Sequence, residues 1–94
     1  MPKFQVAHIL EQGVNLIIIP LDSSFGHKSS DEQGQIISEL QMRASSANLA
    51  GTVVPVWNAG AGRMAFIAPS KWHPFFRTIT LQWVAANINK ALSW

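Results

Sequence analysis

The sequence predicts a small α+β domain: a two-layer ββαββα sandwich in which a four-stranded, mainly antiparallel sheet carries two helices on one face. Three observations carry this expectation. Short apolar runs come in pairs around turn residues, first Gln12-Gly13 and then Ala59-Gly60-Ala61-Gly62. Each pair is followed by apolar residues at helical spacing. The pattern occurs twice within 94 residues, a length that holds one domain, 1–94.

The first strand, 4–10, alternates. Phe4, Val6, His8 and Leu10 share one face, while Gln5, Ala7, Ile9 and Glu11 share the other. The second strand, 14–21, is apolar on both faces along most of its length, which places it in the middle of the sheet. The first helix, from about 31 to 49, opens on Ser29-Ser30-Asp31-Glu32. This is a serine cap with a glutamate three residues on, and with acidic side chains at the positive end of the dipole. Ile36, Ile37, Leu40, Ala44 and Ala47 make one apolar stripe, and Gly51 is a natural stop.

The third strand, 52–57, contains Pro55, which has no N–H for a ladder and is tolerated mainly on an edge. A flexible turn at 59–62 leads to the fourth strand, 63–68. With the second and fourth strands central, the expected order is 1-2-4-3, every neighbour is antiparallel, and the two helices start at opposite ends of the sheet. The second helix runs from Pro74, a residue suited to a first helical position, to the end. Phe76, Ile79, Trp83 and Ala86 form one apolar face of it, and Leu81, Ile88 and Leu92 form another. A helix apolar most of the way round needs burial on two sides, and one sheet supplies only one. Leu81, Ile88 and Leu92 are therefore expected at a homo-oligomer interface, most simply that of a dimer.

Composition points the same way. Hydrophobic residues make up 48% of the chain and charged residues only 13%, against roughly 25% charged in a typical soluble domain. The absence of cysteine removes disulfides, thiolate zinc sites and thiol nucleophiles together. Met-Pro-Lys-Phe lacks the layout of a signal peptide, and the aliphatic run 16–19 is too short to cross a bilayer. The expectation is a cytoplasmic protein with no membrane partner.

Charge is divided along the chain. The five carboxylates, Glu11, Asp22, Asp31, Glu32 and Glu39, all lie in the first 39 residues, and Arg43, Arg63, Lys71, Arg77 and Lys90 follow. The division suggests an anionic partner; the plainer alternative is that the two halves pair with each other. Five cations make a small footprint for nucleic acid.

Two strand-to-helix loops resemble one another, Ser23-Ser24-Phe25-Gly26-His27-Lys28-Ser29 and Ser70-Lys71-Trp72-His73-Pro74. Each places a histidine, a lysine and an aromatic ring before a helix, where free amides favour anions. His27, Lys28, Arg63, Lys71, Trp72, His73 and Arg77 are thus the candidate ligand- or anion-binding residues. The plainer reading is a polar loop whose histidine caps structure. The topology keeps the two loops apart within one chain.

Asp22, Ser23, Ser24, His27 and Ser29 contain the types of a nucleophile, base and orienter, but exposed loops have the same composition. No catalytic residue is assigned. His8, His27 and His73 share no ligand spacing, so neither metal nor cofactor is expected. His8 reads as a hydrogen-bonded, half-buried strand residue. Trp57 and Phe66 would offer a stacking platform for a single strand if they faced away from the helices, and core if they faced them, the commoner fate. The expected function is that of a small non-enzymatic, homo-oligomeric binding protein for a ligand or partner. The alternatives are a nucleic-acid or anion-binding module built on the basic, aromatic second half, and a small enzyme using the His27 or His73 loop.

Overall fold

The computed structural model describes residues 3–93. Strands β1 (Lys3–Glu11) and β2 (Val14–Leu21) form a hairpin. Its turn residues Gln12 and Gly13 both have positive φ, +52° and +78°, the conformation that matches a two-residue turn to the twist of the strands. Helix α1 (Ser30–Ser46) follows. The Ser29 hydroxyl accepts from the Glu32 amide and donates to the Glu32 carboxylate, both at 3.2 Å, so the expected cap forms. Strand β3 (Thr52–Asn58) and a short strand β4 (Met64–Phe66) come next. Helices α2 (His73–Thr78) and α3 (Leu81–Ala86) precede a last strand, β5 (Lys90–Ser93).

The α+β class stands, but the sheet has five strands in the order β4-β3-β2-β1-β5 and is mixed rather than wholly antiparallel. Strand β3 runs parallel to β2, from Leu16 opposite Thr52 to Leu21 opposite Trp57. The cause is the seventeen-residue length of α1. At 1.5 Å per residue it spans about 25 Å, the length of the sheet, and returns the chain to the end where β2 began.

Pro55 therefore sits inside the sheet, between β2 and β4, and not on an edge. Its carbonyl accepts from the Ile67 amide on the β4 side. A strand residue's N–H and C=O point the same way, so the missing donor also faces that side. It faces Ile67, one residue past the last β3–β4 pair, Val56 with Phe66, so the proline gives up only the reciprocal bond to Ile67 O at the end of that ladder and none on the β2 side.

The helices lie on both faces, making three layers instead of two. Leu40 and Ala44 of α1 pack on Val6, Ile17, Ile19, Val53 and Leu92. Phe76 and Val84, with Trp72, pack on Ala7, Leu16, Ile18, Val54 and Val56. Strand β2 is central and buried on both faces, the usual reason for an unbroken apolar strand.

The single C-terminal helix does not form. It breaks at Thr78-Ile79-Thr80, a β-branched run that is stiff in a helix. Ile79 and Thr80 are extended, and Thr80 caps α3 by accepting from the Trp83 amide at 3.1 Å. Asn89 then clips the chain to β1: its amide donates to Val6 O, while its side chain accepts from His8 N and donates to His8 O. Residues 90–93 pair with β1 as an edge strand. The second apolar helix face expected at a subunit interface is thereby dispersed. Leu92 is 3% exposed in the α1-side core, whereas Leu81 and Ile88 are half-buried in the other.

Candidate functional site

Because β2 and β3 are parallel neighbours, their carboxyl ends lie side by side and the chain leaves each in a different direction. Open α/β sheets form crevices at such places. Beyond Leu21, Asp22 caps a 3-10 turn (Ser23–His27) by accepting from the Ser24 amide at 2.9 Å. Beyond Asn58, the chain reverses: the Ala59 amide donates to Arg63 O and the Arg63 amide to Gly60 O. Between the two exits is a cleft of about 420 Å³ lined by Ser23, Gly26, His27, Trp57, Asn58, Ala59, Gly60 and Ala61.

Trp57 is the deepest of these residues. It is 9% exposed and meets Phe25 edge-on at 4.9 Å. Gly26 lies flat against the indole; a Cβ there would come to 2.5 Å from Nε1. The indole N–H has no protein acceptor among the described residues and is not sealed from solvent. A buried tryptophan normally pairs its N–H; here the ring lines the cleft with that donor unpaired among the described residues. Asn58 uses its Oδ1 on the Gly60 amide at 2.8 Å, and its NH₂ has no partner among the described residues.

Asp22 is held below the usual carboxylate range, first by the Ser24 amide and then by the neighbouring serine hydroxyls. Its task is to cap the turn. His27 makes no hydrogen bond to Asp22 or to the loop serines among the described residues. The nucleophile, base and orienter suggested by the sequence are therefore not assembled.

His27 and the adjacent Lys28 lie at this end, as does Arg63 at the close of the β3–β4 turn. Lys71 and Trp72 do not. They line a second cleft, of about 320 Å³, with Gln12, Val14, Pro74 and Phe75, beside the turn of the β1–β2 hairpin. The two histidine loops are thus separated by the length of the sheet. His73 is structural: its Nε2 lies 2.9 Å from Ala68 O and its ring stands edge-on to Phe66 at 5.4 Å. Arg77 is exposed on α2 and lines neither cleft.

The acidic and basic halves scarcely meet. Arg43 pairs with Glu39 at 3.2 Å within α1, and among the described residues Arg63, Lys71, Arg77 and Lys90 have no carboxylate partner. Trp57 packs on Phe25 of the 3-10 turn and Phe66 on Phe76 of α2, on opposite faces of the sheet, so the two rings do not form a shared stacking platform. His8 is half-buried with Nε2 at 2.8 Å from Ala50 O. Among the described residues no three metal-ligating side chains gather, and no helix is long and apolar enough to cross a membrane.

Sequence reasoning overlooked Gly26, Asn58, Gln12 and Val14 as cleft residues. The signal was available in the doubly apolar β2, which calls for helices on both faces and hence a parallel crossover after α1. No family model matches the chain, and no curated protein or solved structure is similar to it.

Proposed function

We propose that the chain is a small non-enzymatic, homo-oligomeric binding protein of the cytoplasm, whose ligand is a small polar molecule seated between the carboxyl ends of β2 and β3. One observation carries the reading: a nearly buried Trp57 lines an open cleft, and its N–H has no partner among the described residues. A ligand acceptor meeting that donor adds a hydrogen bond worth about 0.5–1.5 kcal/mol. The Asn58 NH₂ and the His27 ring supply further polar contacts. Binding rather than catalysis is supported by the commitment of the Asp22 carboxylate to the turn.

Self-association is supported by the two outermost strands, β4 and β5, each of which leaves one edge unpaired among the described residues, and by Leu10 and Met42, which are 67% and 53% exposed. The test is a panel of amides, sugars and nucleosides added to ¹⁵N-labelled protein. The Trp57 indole cross-peak, identified by its loss in Trp57→Phe, should shift saturably with at least one class. A cross-peak that stays fixed across the panel sinks the reading.

A further inference from the structure

We propose that the second cleft, beside the β1–β2 turn, is a separate site for a small monocarboxylate with an apolar body. Trp72 is only 6% exposed, yet its indole N–H has no protein acceptor among the described residues and is not sealed from solvent. The ring lines a cleft of about 320 Å³, the opening through which the N–H would meet a ligand. The Lys71 ammonium stands 5.9 Å from the centre of the same ring and has no carboxylate partner among the described residues. Glu11, the nearest carboxylate along the hairpin, does not line the cleft.

The remaining walls divide by chemistry. Val14, Pro74 and Phe75 are apolar, and Gln12 supplies one amide at the rim. A carboxylate has two acceptor oxygens and one charge. One N–H donor and one ammonium match that demand, and charge-assisted bonds of this kind are about twice as strong as neutral ones. The apolar walls reward a hydrocarbon or ring attached to the carboxylate. A phosphate's second charge would find no second cation in the lining. This site does not depend on the cleft at the other end of the sheet, and either can hold if the other fails.

The experiment is a titration of the ¹⁵N-labelled 94-residue chain with benzoate, its neutral isostere benzamide, and acetate, read at the indole cross-peaks. Trp72→Phe identifies the Trp72 signal. Benzoate should shift it saturably while the Trp57 signal stays fixed. Benzamide and acetate should each bind at least about tenfold more weakly, one lacking the charge and the other the apolar body. Lys71 is exposed, so Lys71→Gln leaves the fold intact; it should lower benzoate affinity about tenfold and leave benzamide unchanged. The proposal is overturned if Trp72 does not respond to ~10 mM benzoate, if benzamide or acetate binds equally well, or if Lys71→Gln has no effect.

Discussion

Single residues impose local constraints on the backbone, and their substitutions have distinct signatures. At Gly51, φ is +130° and a Cβ would lie 2.5 Å from the Asn15 carbonyl oxygen, a backbone atom that cannot swing aside. Gly51→Ala should cost roughly 2–4 kcal/mol in urea unfolding, through strain and overlap together. Ala61, held at φ +53°, presents the reverse case. Ala61→Gly should stabilise by about 1 kcal/mol, because glycine enters that region without penalty. Asp22 gives a pH signature. Its folded pKa is depressed, so its contribution is present above the unfolded value and is lost as pH falls through the folded one. Acid titration followed by Trp57 fluorescence should therefore show the 3-10 turn loosening below the ordinary carboxylate range, a step missing in Asp22→Asn. The turn at Gln12-Gly13 and the cap at Ser29 were legible because each rests on neighbours in sequence. The free N–H of Trp57 was not, since it depends on what lies 31 residues earlier at Gly26.

At the level of elements, the C-terminal segment divides where local chemistry outweighs apolar periodicity. Leucine, isoleucine and tryptophan at helical intervals suggested one long helix, but Thr78-Ile79-Thr80 interrupts it and Asn89 secures the remainder to β1. Thr80→Ala should lower stability by about 1 kcal/mol through loss of the α3 cap. Leu92→Ala should cost more, roughly 2–4 kcal/mol, since it empties a buried position beneath α1; a change within 0.5 kcal/mol would mean that β5 is not docked. The same reasoning explains the misplaced third strand. Proline argues for an edge when its missing donor interrupts a long ladder, and at Pro55 that donor faces Ile67, just past the end of β4, where a single terminal bond is given up. Sequence supplied the identity of the residue but not the side it faces.

For the whole molecule, the decisive feature is a mixed sheet with helices on both faces, which leaves one cleft at the carboxyl ends of the parallel pair and another at the hairpin turn. The doubly apolar β2 was the visible trace of that arrangement, while strand order depended on the span of α1 and on contacts distant in sequence. Both clefts share one physical claim, that Trp57 and Trp72 are packed rings whose N–H groups remain open and unpaired. Hydrogen exchange of the indole protons in D₂O tests it most directly. In the absence of ligand, both should exchange from the native state, at rates that do not follow global stability as low concentrations of denaturant are added. Exchange of either proton only through global unfolding, with a rate that tracks the unfolding free energy, would contradict the claim and close the corresponding cleft.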